Sequence, residues 1–350
     1  MKNIALCFDG TGNLVRAEGN TNVILLFKRL TYDPARQLTY YDPGVGTFSS
    51  GGAWTPAARW VSRTLGLAFG SGMRENLENA YTYLINHWEP GDQIYLFGFS
   101  RGAYTARAMA GLLRTVGILR PGADNLVRYA IGNYARRKSR WRSTEWKQAG
   151  QFGSLMSRRT PQGKVTVPVA YLGVWDTVKA PGLLRRSMVW PYTRALPNVK
   201  AGRHAISIDE KRRPYREYLV DEKASARIEE VWFAGVHSDV GGSYTDKPPL
   251  GEITLNWIAD GARDAGLLFE DEPPLPVLTP EHATGPIHKM SWAWSLLVPR
   301  RRPVPAGAKV HASVRARIER QPGYGRRLPS DVVWAEPDWL GAAEIPAKVE

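Results

Sequence analysis

The first half of the chain alternates short apolar runs with longer stretches in which apolar residues recur every three or four positions. The apolar runs occupy residues 4–8, 37–41 and 93–99, and the longer stretches occupy residues 22–30, 74–88 and 101–116. The runs predict strands, and the recurrent spacing predicts amphipathic helices. Strands that alternate with helices indicate a mostly parallel sheet with right-handed crossovers and helices on its faces.

Two more apolar runs, at residues 165–175 and 231–236, predict further interior strands. Both are followed by polar loops, as the earlier strands are followed by loops that contain glycine. Because a parallel sheet carries its functional loops at the carboxyl ends of the strands, we expect these loops to meet at one edge.

Three segments interrupt this pattern. Residues 49–72 are rich in glycine and aromatic residues, residues 120–163 include a strongly basic stretch, and residues 273–306 are rich in proline. We interpret all three as lid or surface segments. The predicted organisation is a catalytic core over residues 1–270, with insertions at 49–72 and 120–163, and a C-terminal extension over residues 271–350 that packs on the core.

Composition adds a basic bias to this picture. The 350 residues include 47 lysines and arginines against 33 aspartates and glutamates, which gives a formal net charge of +14. Such a surface attracts anions, whether nucleic acid, acidic protein or anionic lipid headgroups. With 43% hydrophobic residues, the chain is long enough to bury a large core.

The only cysteine, Cys7, lies in an apolar run, which predicts a small core residue and excludes an intramolecular disulfide. No uninterrupted apolar stretch approaches the length of a transmembrane helix. The first residues also lack the features of a cleaved signal peptide. We therefore expect synthesis in the cytoplasm, with any export by a route that reads no cleavable signal.

The candidate chemistry begins at residues 98–102, Gly-Phe-Ser-Arg-Gly. This G-x-S-x-G pattern follows a predicted strand and opens a predicted helix, which is the context of a nucleophile elbow. Small residues on either side relieve clashes in the tight turn. Ser100 is the predicted nucleophile; the alternative is a structural turn, because the five-residue pattern alone is common by chance.

A serine hydroxyl needs a base to act as a nucleophile. His237 is the predicted base, because it follows the predicted strand 231–236 and opens a polar turn that we expect to be flexible. His204 and His311 stay open as alternatives. The remaining histidines are interpreted as surface or packing residues: His87, His282 and His288.

Asp176 follows the predicted strand 165–175 and is the predicted third member, which orients the imidazole and stabilises its charged form. The alternatives are that Asp176 only caps a turn, or that Asp239 takes the role. Asp239 is expected to shape the turn after His237. The chain order Ser100, Asp176, His237 is the order of α/β-hydrolases.

An oxyanion hole needs two backbone N–H groups. We predict the N–H of Arg101 as the first and the N–H of Gly10 or Thr11 as the second, provided that the first and third strands are neighbours. Asp9 is expected to orient this loop. The alternatives are a plain glycine turn or a phosphate-cradling loop. The phosphate-cradling loop is disfavoured because the segment has neither G-x-G-x-x-G nor a following Gly-Lys-Ser/Thr.

We expect no cofactor and no metal. The sequence has no cysteine pair, no His-Glu-x-x-His and no EF-hand pattern. The alternative is a cation held by the carboxylates at the strand ends, which are Asp9, Asp42, Asp176 and Asp239.

Four blocks together carry a family resemblance. Residues 7–13, 98–107, 175–178 and 235–242 resemble the α/β-hydrolase family that includes the type VI secretion phospholipase effectors of the first lipase-effector class, and residues 204–210 resemble a further block. The resemblance implies hydrolysis of acyl esters by a Ser-Asp-His triad at Ser100, Asp176 and His237. Because the characterised effectors are phospholipases, it also implies a lipid substrate.

We therefore expect a serine hydrolase of carboxylic esters, with a phospholipid as substrate and peripheral contact with anionic membranes. The resemblance implies delivery by type VI secretion, with the secretion apparatus or an immunity protein as partners. The alternatives are a non-lipid esterase and a basic nucleic-acid-binding or regulatory protein on a hydrolase scaffold. The intact set of serine, aspartate and histidine favours the enzyme, and no nucleic acid is expected as a partner.

Overall fold

The computed structural model describes residues 1–10, 18–44, 69–135, 143–179, 190–224, 226–245, 249–289 and 299–340. The predicted insertion at residues 49–72 lies almost entirely outside the described residues. Thr11 and residues 290–298 of the proline-rich segment also lie outside the described residues.

A single eight-stranded sheet, in the order β2-β1-β3-β4-β5-β6-β7-β8, forms the centre of the molecule. All seven strand pairs are parallel. The strands are β1 (Asn3–Phe8), β2 (Gln37–Asp42), β3 (Gln93–Phe99), β4 (Val169–Trp175), β5 (Val199–Ser207), β6 (Ile228–Phe233), β7 (Lys309–His311) and β8 (Val333–Ala335). In β4 every residue is buried, as expected for a parallel strand covered on both faces.

Helices cover both faces of the sheet. They are α1 (Asn22–Phe27), α2 (Phe69–His87), α3 (Arg101–Thr115), α4 (Val127–Tyr134), α5 (Ser143–Met156), α6 (His237–Gly241), α7 (Pro249–Asp264) and α8 (Ala312–Arg320). Apolar residues of α2, α3 and α4 form one buried cluster with the sheet, and those of α1, α7 and α8 form the second. The predicted α/β-hydrolase-like class, a mostly parallel sheet flanked by helices, is confirmed.

Several elements near the site differ from the prediction. Strand β4 begins at Val169 rather than at residue 165, and β6 ends at Phe233 rather than at residue 236. His237 opens the short helix α6, so the prediction of a flexible polar turn is wrong. The side chain of Asp239 accepts a hydrogen bond from the Val236 N–H at 2.8 Å, which closes the first turn of this helix.

Strand β5 was not among the predicted strands, because Lys200, Gly202 and Arg203 interrupt its apolar residues. Beyond residue 270, β7 and β8 have only three residues each, too few for a visible pattern. These two strands extend the same sheet from β6. The division of the chain at residue 270 stays a prediction, although strands from both sides of it share one sheet.

The register brings the carboxyl ends of the central strands together. Phe8 at the end of β1 is opposite Gly98, and Phe99 at the end of β3 is opposite Trp175. The predicted neighbourhood of the first and third strands is therefore present. Among the described helices, none is long and apolar enough to cross a membrane.

Candidate active site

Ser100 occupies a strained turn between β3 and α3. Its backbone angles are φ 59° and ψ −118°, a conformation that residues other than glycine rarely adopt. A Cβ atom at Gly98 would lie 2.5 Å from the carbonyl oxygen of Gly102, and one at Gly102 would lie 2.1 Å from that of Phe8. Because neither position has room for a side chain, the two glycines allow the sharp turn that presents the Ser100 hydroxyl.

His237 contacts both of the other predicted triad residues. Its Nε2 lies 2.8 Å from the Oγ of Ser100, and its Nδ1 lies 2.5 Å from the Oδ2 of Asp176. The rings of Phe99 and Tyr215 flank the imidazole, with centroids 4.6 and 4.8 Å away. The fold thus brings the predicted nucleophile, base and carboxylate into one chain of hydrogen bonds at the carboxyl edge of the sheet.

Asp176 directly follows β4 with a positive φ of 40°. Its backbone N–H donates to the carbonyl of Ala205 at 2.7 Å, which ties the turn to β5. The N–H and hydroxyl of Ser207 donate to its two carboxylate oxygens at 2.9 and 3.2 Å. These bonds hold the carboxylate in a fixed orientation toward His237.

Arg302 is the principal site residue that the sequence analysis missed. Its Nη1 lies 2.5 Å from the Oδ1 of Asp176, and its Nη2 lies 3.0 Å from the Oδ2. The same guanidinium donates to the Ser207 hydroxyl at 2.8 Å and to the carbonyl of Tyr215. Arg302 is 7% exposed. It belongs to a run of three arginines that we interpreted as part of a surface segment, and no local pattern links it to Asp176.

The charges of this cluster set the protonation states. Burial raises the pKa of Asp176, but the charge of Arg302 and the hydrogen bond from His237 outweigh it and hold that pKa well below its usual value. Burial lowers the pKa of His237, and the hydrogen bond and charge of Asp176 only partly oppose this. At neutral pH the carboxylate is therefore ionised, and His237 is neutral and able to accept a proton.

Glu210 anchors the backbone of His237. Its Oε2 accepts a hydrogen bond from the His237 N–H at 3.2 Å and pairs with the Nη2 of Arg212 at 2.7 Å. Glu210 is 2% exposed, so this ion pair is internal. The only sequence signal for it was its place in the block of residues 204–210.

The two alternative bases have other partners. In His204, Nε2 accepts from the Thr177 N–H at 3.1 Å, and Nδ1 lies 2.8 Å from Glu230 and 3.1 Å from Arg107. In His311, Nδ1 accepts from the Ser313 N–H at 3.1 Å. Burial lowers the pKa of both rings. The structure brings His237 to Ser100, whereas His204 supports the turn that follows Asp176.

Asp9, at the start of the predicted oxyanion loop, has several hydrogen-bond partners. The carboxylate of Asp9 accepts hydrogen bonds from the Gly10 N–H at 2.6 Å, the Thr21 hydroxyl at 2.6 Å and the Tyr41 hydroxyl at 2.9 Å. Asp9 thus holds the Gly10 N–H, and its expected role in orienting the rest of the loop stays a prediction, because residues 11–17 lie outside the described residues. Arg101 follows Ser100 at the start of α3, and burial lowers the pKa of its guanidinium to about 10, so the side chain is charged at neutral pH.

The other carboxylates at the strand ends have partners of their own. Asp239 contacts His288, with 2.5 Å between its Oδ1 and the histidine Nδ1, and Asp42 accepts from the Gly44 N–H at 2.9 Å. Within the ranges that the structure describes, no group of three or more histidine, cysteine, aspartate or glutamate residues could hold a metal ion. Cys7 is fully buried in the core, as predicted.

The arrangement as a whole suits nucleophilic catalysis. A serine hydroxyl in a strained turn faces a neutral imidazole, whose other nitrogen faces an ionised and immobilised carboxylate. The chemistry that such a site can perform is acyl transfer through the Ser100 oxygen.

Comparisons with known proteins identify a family and several similar proteins. A family model described as the catalytic domain of the Tle1-like phospholipase effectors of the type VI secretion system matches residues 2–261. The uncharacterized protein YEL023C of Saccharomyces cerevisiae is 31% identical over 224 residues, which are 62% of this chain and 32% of that protein. The chain thus spans about a third of the length of this curated relative.

Two solved structures show a looser likeness. A crystal structure of an uncharacterized protein from Pseudomonas aeruginosa aligns with 80% of this chain and 48% of its own, at 20% identity and a TM-score of 0.44. A Tle1 effector bound to the VgrG spike of the type 6 secretion system aligns with 71% of this chain and 52% of its own, at 19% identity and a TM-score of 0.38. The family match covers most of the chain, including Ser100, Asp176 and His237, and by this match the chain belongs to the Tle1-like phospholipase effectors of the type VI secretion system, through their catalytic domain.

Proposed function

We propose that this protein is a serine hydrolase that cleaves a carboxylic ester of a phospholipid. The observation that supports this proposal most directly is the continuous chain of hydrogen bonds from Ser100 through His237 to Asp176. Membership of a phospholipase effector family supports the lipid as substrate.

The proposed reaction begins with attack of the Ser100 oxygen on the ester carbonyl, while the Nε2 of His237 takes the hydroxyl proton. The carbonyl oxygen becomes an oxyanion, and Asp176 stabilises the imidazolium. Collapse of the tetrahedral intermediate breaks the bond to the alcohol, which leaves with the proton from His237. Water, activated by the same histidine, then attacks the acyl-enzyme and releases the fatty acid.

The oxyanion is proposed to bind backbone N–H groups beside the elbow. Arg101 supplies the first, from the start of α3. The second comes from the loop after β1, either from Gly10 or from Thr11. Because the Gly10 N–H donates to Asp9, a role for Gly10 requires that this bond be exchanged when substrate binds.

The same geometry would serve a non-lipid ester, and only the family match favours a lipid over that alternative. A binding protein on an inactive scaffold is a weaker candidate, because a base in contact with the nucleophile serves no purpose in binding.

We further propose delivery through the type VI secretion apparatus, since a related effector is described as bound to the VgrG spike. Contact with an anionic membrane and neutralisation by an immunity protein belong to the same proposal.

A fluorophosphonate probe tests the proposed nucleophile. The wild-type protein should be labelled at Ser100, as located by mass spectrometry of the labelled peptide, because only a serine activated by a base reacts quickly with such probes. A panel of phospholipids and simple esters, with products identified by mass, then tests the substrate. Labelling elsewhere, or no labelling, would contradict the proposal.

Arg302 should influence the pH dependence of the reaction. In a plot of kcat/KM against pH, the fall on the acid side (the acid limb) reports the pKa of His237. Burial keeps this pKa below its usual value near 6.5. Glu210, Arg212 and Tyr215 also face this ring. Arg302→Gln removes a positive charge beside Asp176, so the pKa of His237 should rise and the acid limb should move to higher pH.

A lower rate in the Arg302 variants does not by itself decide the role of Arg302, because a less firmly held Asp176 carboxylate would also slow the reaction. The readout is therefore the position of the acid limb, measured for Arg302→Gln and for Arg302→Lys. The lysine variant keeps the charge and should lie between the glutamine variant and the wild type. A slower reaction with an unmoved limb would show that Arg302 has only a structural role.

A further inference from the structure

A cavity of about 300 Å³ lies beside the candidate active site, between residues 212–217 and residues 300–303. Arginine dominates its lining. The arginines that line it are Arg212, Arg213, Arg216, Arg300, Arg301 and Arg302. A hydrogen bond from the Arg300 N–H to the Lys211 carbonyl, at 2.9 Å, joins the two segments.

The positive charge of this arginine cavity exceeds the negative charge around it. Glu217, the one acidic residue of the lining, lies 3.8 Å from Arg216 and 3.8 Å from Arg302. Arg212 pairs with Glu210, and Arg302 pairs with Asp176. Six arginines thus face three carboxylates.

The surplus charge belongs to three exposed side chains. Arg213, Arg300 and Arg301 have no carboxylate within 4.0 Å among the residues that the structure describes. Like charges that crowd around one concave space repel each other, and an anion that enters the space relieves this repulsion. The planar guanidinium group binds the oxygens of a phosphate in pairs, with charge-assisted hydrogen bonds.

The arginine cavity adjoins the catalytic residues. Arg212 lies over the ring of Tyr215, with 3.9 Å from its Cζ to the ring centroid, and that ring lies 4.8 Å from the imidazole of His237. Arg302 lines the cavity and binds Asp176 at the same time. An anion in the cavity would therefore lie close to a substrate held at Ser100.

We propose that the arginine cavity binds the phosphate of an anionic phospholipid headgroup while an ester carbonyl of the same lipid lies at Ser100. This inference rests on the proposed function, since a glycerophospholipid carries its phosphate only a few bonds from its ester carbonyls. The surplus of guanidinium charge favours headgroups with a net negative charge over those with a compensating ammonium group. Phosphatidylglycerol is then a better substrate than phosphatidylcholine.

The test removes the charge of these three arginines. The variant Arg213→Gln/Arg300→Gln/Arg301→Gln is compared with Arg36→Gln/Arg120→Gln/Arg326→Gln, which removes the same charge at exposed positions elsewhere. The ratio of kcat/KM for phosphatidylglycerol over that for phosphatidylcholine is measured in mixed micelles. We expect this ratio to fall about tenfold in the cavity variant, the factor that about 1.4 kcal/mol represents, and to stay near the wild-type value in the control.

An unchanged ratio in the cavity variant, or an equal fall in both variants, would overturn the proposal, because the second result would reflect surface charge in general. A second arm uses Ser100→Ala protein, which retains the cavity, and measures calorimetric binding of inorganic phosphate and co-sedimentation with phosphatidylcholine vesicles with and without phosphatidylglycerol. The cavity variant could lose phosphate binding while its vesicle binding and its kcat/KM ratio stay unchanged. That result would assign the cavity to a free anion and overturn the proposal that it binds the lipid headgroup.

Failure of the proposed function would be recognised separately. In that case the wild type would turn over no ester and Ser100 would not react with the fluorophosphonate probe. The vesicle arm still decides the cavity, because binding by the Ser100→Ala protein needs no turnover. If binding that depends on phosphatidylglycerol persists after loss of the three arginines, the cavity does not recognise the headgroup.

Discussion

Ser100→Ala is expected to lower the turnover of a chromogenic ester by about a million-fold, the loss that removal of the nucleophile causes in a serine protease. Without the Ser100 oxygen no acyl-enzyme can form, and His237 loses the group from which it takes a proton. The residual rate would come from substrate binding and the oxyanion donors alone. The measurement is kcat at a pH above the pKa of His237, with circular dichroism to show that the fold is retained.

The matched control for this variant is Ser154→Ala, at an exposed position on α5. It should keep the wild-type rate. A Ser100→Ala protein with the wild-type rate would exclude Ser100 as the nucleophile, and with it the proposed mechanism.

Asp176→Asn is expected to cost about four orders of magnitude in kcat, as the corresponding change does in a serine protease. An amide in place of the carboxylate can donate to the Nδ1 of His237. That bond would favour the wrong tautomer and remove the negative charge that stabilises the imidazolium. The effect should appear in kcat more than in KM, because the charge on His237 exists only during the reaction.

The same variant should also be less stable, because Arg302 is buried and loses its partner. Breaking a buried ion pair from one side costs about 3 to 5 kcal/mol. The double variant Asp176→Asn/Arg302→Gln removes the orphaned charge and should recover part of the melting temperature while its turnover stays low. Asp260→Asn, which changes an exposed surface pair, is the control. Turnover within tenfold of the wild type in Asp176→Asn would contradict the assigned role.

The elbow could be predicted because its signals are local. A strand, a glycine on each side of the serine and a helix all lie within a few residues, and the structure shows that neither glycine position has room for a side chain. His237 and Asp176 could be predicted because each follows an apolar strand, and strand ends share one edge of a parallel sheet.

Other parts of the site depend on contacts between distant residues. Strand β5 escaped prediction because polar side chains interrupt its apolar pattern, and without it the partners of His204 could not be foreseen. Arg302 lies in a segment whose composition resembles an exposed loop. Nothing in its neighbours along the chain distinguishes it from Arg300 or Arg301, which are exposed. Only the folded sheet shows which of the three arginines meets Asp176.

The position of Arg302 along the chain has a consequence for the order of synthesis. The ribosome makes Ser100, Asp176 and His237 first, and Arg302, which holds the Asp176 carboxylate, emerges only later, beyond the region that the family model matches. If the first six strands fold before that segment is made, Ser100 and His237 would lie beside a carboxylate without its guanidinium partner. Under the proposed mechanism, the orientation of the Asp176 carboxylate would be complete only after the segment that carries Arg302 has docked.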